Sequence, residues 1–301
     1  LLPLMYGIVK FLSLFKSNIR ESIEKRKGLW ERIELKVSKR DWKKPLIWFH
    51  VASAGEFLQA KPVIDRCISK GTECLLTYSS INAFRWLENQ KRSNISGLLT
   101  TEFLPFDTIW NARRLIGLIQ PSRLVWISYD LWPNLIWEAY YKNIPQSLIS
   151  AIVHKNSPRA RFFWGRSFYK SLYSCLEHIL TVSEEDRMRI LSSIPENKNI
   201  KVMGEIRCDS VIERRESIEI PKLPQARTAG FVFIAASTWP KDEVCIFQGL
   251  KEALIKFPDM FLIVAPHEPT DKHLKNTECF FDDFKIERFR NITSKPSEHR
   301  I

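Results

Sequence analysis

From residue 45 onward the chain alternates short apolar runs with segments of helix length, and this alternation restricts the fold more than any other feature. Runs of strand length lie at 46–51, 73–78, 123–129, 146–153, 178–182 and 200–204. Between them fall helix-length segments at 57–70, 81–89, 107–119, 132–142, 159–176 and 184–194. Such a βα rhythm predicts a parallel sheet with helices on both faces, whose ligands bind at the carboxyl ends of the strands. The rhythm breaks at 213–230, a charged stretch carrying Pro221 and Pro224, which reads as a linker. A second series then begins, with strands at 231–236 and 260–265 and helices at 242–257 and 272–281. The fold class expected is α/β with two Rossmann-like domains, 45–212 and 231–301, the second one incomplete.

Residues 1–44 form a segment of different character. Leu1–Phe15 is almost wholly apolar, with Lys10 its one charge. A helix of that length spans about 22 Å, short of the roughly 30 Å hydrocarbon core, so it can dip into a membrane more easily than cross one. Residues 1–50 carry twelve Lys/Arg against five Asp/Glu, within a chain of net charge +12. An apolar stretch followed by basic residues suits a protein resting on an anionic membrane surface; an ordinary helix packed on its own domain is the plainer alternative. No zinc-finger or RNP signature points to a nucleic-acid partner. Cys67, Cys74, Cys175, Cys208, Cys245 and Cys279 are scattered, with no CxxC pair and no neighbouring His at ligand spacing, so neither a metal site nor a disulfide framework is expected. Glycine is scarce, at 10 residues, and the last is Gly249.

Three strand ends carry candidate chemistry. The first strand runs into His50-Val51-Ala52-Ser53-Ala54-Gly55-Glu56, with a helix starting directly behind it. Gly55 is read as permitting a tight strand-to-helix turn, and a carboxylate at Glu56 can take a proton from a substrate hydroxyl. Acidic residues are also favoured in first helical turns by the helix dipole, so Glu56 has a purely structural reading as well. That dipole predicts a lowered pKa, giving a base that is ionised but weak. The run ending at 129 delivers Asp130-Leu131-Trp132-Pro133-Asn134, with Pro133 early in a helix. In the second series Ser237 and Thr238 hold the equivalent place, where hydroxyls and free backbone N–H groups either bind phosphate or simply cap the helix.

The ordered set HVASAGE, LPFD, DLWPN, GEIRCD, AASTWPKDE and VAPHEP resembles the Kdo (3-deoxy-D-manno-octulosonic acid) transferases of lipopolysaccharide synthesis, over about residues 1–270. The resemblance implies a GT-B glycosyltransferase fold, with an acceptor-binding N-terminal domain and a C-terminal domain binding CMP-Kdo. It also implies a phosphorylated lipid A precursor as acceptor and association with the cytoplasmic face of a bacterial inner membrane. No cofactor or metal is required on this reading. Carried over, the catalytic base falls on Glu56, and the carboxylate stabilising the transition state on Asp130, where the family more often has Glu. The matching basic position falls on Arg207, where Lys is usual. Ser53 and Gly55 join the substrate-binding set, and CMP contacts are implied for Ser237, Thr238, Pro266 and His267. The chain departs from the pattern in lacking an Arg between Pro266 and His267, and in reading Ser150-Ala151-Ile152-Val153-His154 where the family has Asn-Ala-Arg-Leu-Ser. The family's Gly-Gly-His-Asn donor loop has no counterpart here and is expected beyond residue 301. Two alternatives stay open: an inactive membrane-associated acceptor-binding protein, and a GT-B enzyme with another nucleotide-sugar donor.

Overall fold

The computed structural model describes residues 17–91, 98–154, 163–194, 199–217 and 230–289. The membrane-dipping segment expected at 1–15 and most of the linker expected at 213–230 lie outside these residues. The chain divides into two compact units, Leu1–Ser217 and Ile218–Ile301.

The first unit opens with helices α1 (Ser17–Lys25) and α2 (Leu29–Val37). There follow β1 (Leu46–Val51), α3 (Ala54–Ser69), β2 (Glu73–Tyr78), α4 (Ile81–Lys91), β3 (Leu98–Phe103), α5 (Ile109–Ile119) and β4 (Arg123–Ile127). The unit continues through α6 (Pro133–Tyr141), β5 (Gln146–Ala151), α7 (Phe163–Tyr173), β6 (His178–Thr181), α8 (Glu184–Leu191), β7 (Ile200–Val202) and α9 (Arg207–Ser217). The seven strands form one sheet in the order β3-β2-β1-β4-β5-β6-β7, every pair parallel. Sheets covered on both faces need strands that are apolar at consecutive positions. β1, β2, β4 and β5 meet that demand, with Trp48, Phe49, Leu75, Leu76, Leu124, Trp126 and Leu148 all buried. The order of strands reverses between β1 and β4, which opens a crevice at their carboxyl ends.

β3 is an addition to the strands legible in the sequence, and so is the role of α2. Leu29, Ile33 and Val37 repeat every four residues along one face of α2 and are buried in the core of the first unit. Arg32 makes a bidentate pair with Glu102 of β3, at 2.7 and 3.0 Å. Arg26 donates to the carbonyls of Ser79 (2.9 Å) and Leu104 (3.1 Å), and Arg40 donates to that of Ile119 at 2.6 Å. Part of the N-terminal basic charge is thus spent inside the fold, closing the sheet's β3 side. No helix among the described residues is long and apolar enough to cross a membrane.

In the second unit β8 (Phe231–Thr238), α10 (Pro240–Lys256), β9 (Met260–Pro266) and α11 (Asp271–Phe280) give a two-stranded parallel sheet. Its core is small: Ala235, Phe247, Leu250, Leu254, Met260, Leu262 and Phe281.

Candidate active site

The crevice between β1 and β4 gathers the two carboxylates singled out in the sequence. Ser53, in extended conformation, caps α3: its hydroxyl accepts from the Glu56 backbone N–H at 3.2 Å. Glu56 occupies the third helical position and folds its side chain back, so that Oε2 accepts a hydrogen bond from Ala52 N–H. Oε1 takes no hydrogen bond from any described residue. The side chain is therefore part cap, yet it is only 5% exposed. Burial pushes the carboxyl up to about 7, assisted by the charge of Asp130 and opposed by the backbone bonds from Ala52 and Ser53. This corrects the expectation of a lowered pKa, since loss of solvent outweighs the helix dipole.

Gly55 also departs from its expected role. Its φ is not in the left-handed region, and a Cβ added there would meet only Ser53 Oγ, at 3.7 Å. The turn therefore does not require glycine. Gly55→Ala is expected to stabilise the fold by about 0.5–1 kcal/mol, a gain to be read as a higher Tm. Any loss of activity in that variant then reports a ligand passing close over the turn.

Asp130 arrives by a different route. Ser128, at the end of β4, takes φ 58°, and its N–H bonds the Ile149 carbonyl while its hydroxyl bonds Gln59 Oε1 at 2.8 Å. The chain leaves the sheet there and brings Asp130 back over β1. Three donors converge on Asp130 Oδ2: Trp132 Nε1 at 3.0 Å, His50 Nε2 at 3.2 Å and Ser79 Oγ at 3.3 Å. Oδ1 takes no bond from any described residue. Burial alone would raise this carboxyl, but the bonds from His50, Trp132 and Ser79 outweigh it and hold the pKa below the ordinary value. Each carboxylate thus has one oxygen tied down and one available.

The LPFD segment has a structural task. Trp132, the N-cap residue of α6, supplies no side-chain cap, and Asp107 does so from a distance. Its carboxylate accepts from Asn134 N–H at 3.0 Å and from Leu135 N–H at 3.1 Å. Asp107→Ala is expected to cost about 1–2 kcal/mol, the usual range for a lost cap, and to lower Tm by about 2–8 °C. A thermal melt checks this.

Arg207, the third residue assigned to catalysis, begins α9 and is mostly exposed. Its guanidinium pairs with Glu205 at 2.6 Å, and no described bond takes it to Glu56 or Asp130. In the second unit, β8 and β9 bring Ser237 and His267 together, with Ser237 Oγ 2.9 Å from His267 Nδ1. Trp239 stacks on the His267 ring at 4.3 Å, next to Pro266 at the end of β9. Thr238 turns inward instead, donating to the buried Glu243 at 2.8 Å. Neither Ser237 nor Thr238 caps α10; Trp239 is its N-cap residue, with Asp242 accepting from Trp239 N–H. The described residues hold no group of three or more His, Cys, Asp or Glu able to bind a metal ion. His50, Ser79 and Trp132 are the site residues that sequence reasoning did not assign. One signal was available, a histidine inside an otherwise apolar strand.

A parallel sheet in Rossmann order, followed by a second βα unit, gives an α/β fold of the GT-B type. Solved structures agree at the level of fold. The UDP-GlcNAc 2-epimerase of Neisseria meningitidis superposes with TM-score 0.56 at 15% identity, over 80% of this chain and 69% of that one. The enzyme of the same name from Methanocaldococcus jannaschii gives 0.57 at 14%, over 79% and 70%. The chain belongs to the 3-deoxy-D-manno-octulosonic-acid transferase (kdotransferase) family, whose model matches residues 21–210. It is similar to the 3-deoxy-D-manno-octulosonic acid transferase of Haemophilus influenzae, 21% identical over 98% of this chain and 66% of the relative. The probable mitochondrial transferase of Arabidopsis thaliana is 28% identical, over 74% of this chain and 51% of its own length. The transferase of Rickettsia felis is 25% identical, over 80% and 50%. The chain spans about half to two thirds of the length of these relatives.

Proposed function

We propose that this chain carries the acceptor-activating machinery of an inverting transferase that moves Kdo from CMP-Kdo to a phosphorylated lipid A precursor, lipid IVA. The observation that carries the reading is the pair Glu56 and Asp130, each with one oxygen held and the other available, at the switch point of the sheet. Membership of the kdotransferase family supports the sugar assignment.

In this mechanism Glu56 removes the proton from a primary glucosamine hydroxyl of the acceptor. The freed oxygen attacks the anomeric carbon of Kdo while CMP leaves from the opposite face, so the configuration inverts. A base with a carboxyl near 7 suits proton transfer at neutral pH. Asp130, held ionised, and Arg207 are assigned to stabilising the charge that develops in an oxocarbenium-like transition state. Ser237 and His267 are assigned to the nucleotide, with Thr238 acting on the turn through Glu243. No cofactor enters the mechanism. The basic N-terminal region suits an anionic membrane surface, and association with the cytoplasmic face of the inner membrane is part of the proposal.

The test is incubation of the protein with CMP-Kdo and lipid IVA in detergent or anionic vesicles, followed by mass spectrometry of the lipid. The expected product is heavier by whole Kdo residues. Transfer from another nucleotide sugar and none from CMP-Kdo would reassign the donor. Lipid binding with neither transfer nor saturable CMP binding below millimolar concentration would leave an acceptor-binding protein.

A further inference from the structure

One of the three side chains that meet Asp130 Oδ2 is itself sealed from solvent. His50 is 1% exposed and sits on β1 directly opposite Thr77 of β2 and Trp126 of β4. Its Nδ1 lies 2.9 Å from Thr77 Oγ1, and its Nε2 lies 3.2 Å from Asp130 Oδ2. Thr77 Oγ1 also receives the Trp48 indole N–H at 2.8 Å. The ring meets Trp126 and Trp132 edge-on, with centroids at 5.7 and 6.0 Å.

The proton order follows from what each group can donate. An indole N–H only donates, and an ionised carboxylate only accepts. The hydrogen facing Asp130 therefore belongs to His50 Nε2. On the relay proposed below Nδ1 accepts, and the Thr77 hydroxyl lies within reach to donate to it, 2.9 Å away. Trp48 in turn fills a lone pair on that hydroxyl. With Nδ1 as acceptor the bonds run in one sense: Trp48 N–H to Thr77 oxygen, Thr77 O–H to His50 Nδ1, His50 Nε2–H to Asp130.

We propose that His50 is a positioning residue for Asp130. The relay from Trp48 and Thr77 fixes its ring as the Nε2–H tautomer, and that N–H pins Oδ2 so that Oδ1 alone faces the substrate. The catalytic part of this inference rests on the reading of Asp130 as a transition-state-stabilising carboxylate; the tautomer does not.

The experiment has two arms. In long-range ¹H–¹⁵N spectra of the whole protein, with His50 assigned by its loss in His50→Gln, the ring should show the neutral Nε2–H pattern. In Thr77→Val, which keeps the volume of the side chain but removes the hydroxyl, that pattern should give way to a tautomer mixture. An Nδ1–H ring in the wild type, or an unchanged pattern in Thr77→Val, overturns the relay whether or not transfer is observed. In the kinetic arm, His50→Ala should lose about 10–100-fold in kcat, as expected for a misplaced reacting group. KM should stay within about threefold, because ground-state binding is untouched. His50→Gln restores a donor near the Nε2 position and should recover most of the loss. His50→Ala and His50→Gln equally impaired, with both folded by circular dichroism, would overturn the positioning role. An Nε2–H relay in a protein that transfers no Kdo would instead overturn the proposed reaction and leave the relay standing.

Discussion

Replacing Glu56 by Gln is expected to lower kcat/KM for transfer about 10²–10⁴-fold, and at the same time to raise thermal stability above pH 7. Both effects come from one cause. Burial, with the charge of Asp130 added, raises the carboxyl from 4.5 to about 7 in the folded chain. The unfolded chain keeps the ordinary value. Between those two values the folded state binds more protons than the unfolded one, so stability falls as pH rises through that window. Above pH 7 the ionised form costs up to about 3 kcal/mol. Gln has nearly the same shape and can still accept the Ala52 N–H, but it carries no charge and takes no proton. Melts at pH 5 and pH 8 should therefore show the variant gaining on the wild type far more at the higher pH. The wild-type rate should rise as Glu56 ionises near pH 7, a limb missing from whatever rate the variant retains. Residual transfer above about 1% of wild type would remove Glu56 as the base.

The strands that were plain in the sequence are those buried on both faces, because continuous apolar runs such as Leu46–Val51 and Glu73–Tyr78 have few other uses. β3 was hidden because Thr100, Thr101 and Glu102 interrupt its apolar pattern. Their polarity is explained by three-dimensional neighbours, above all Arg32 on Glu102. The same partnership hid the role of α2, whose basic residues read as a surface while Leu29, Ile33 and Val37 were covering the core. At the site, Glu56 and Asp130 were legible because strand-to-helix turns mark the carboxyl edge of a parallel sheet. Their protonation was not, because the helix dipole is visible in a sequence and burial is not. His50 was passed over for a related reason. A polar residue inside a strand acquires meaning only when cross-strand register sets it against Thr77 and Trp126.

Asp130→Asn is the second large effect, and its signature separates electrostatics from scaffolding. Removing the charge should lower kcat by about 10²–10³-fold, the range for losing one preorganised group aimed at transition-state charge. It should also move the acidic limb of the remaining rate below that of the wild type. Asp130's negative charge is one of the causes raising Glu56, so without it Glu56 ionises more easily and its carboxyl falls. The variant would thus have a larger fraction of ionised base at pH 6 and still be slower, which a merely misfolded protein would not show. Asp130→Glu makes the complementary case. The longer side chain keeps the charge and can still meet donors from His50, Trp132 and Ser79. The resemblance places Glu at this position more often than Asp, and this variant should retain activity within about tenfold of wild type. Burial is the larger cause of the raised Glu56 carboxyl, so the shift is a small one, and an acidic limb that does not move at all would remove the charge of Asp130 from its causes.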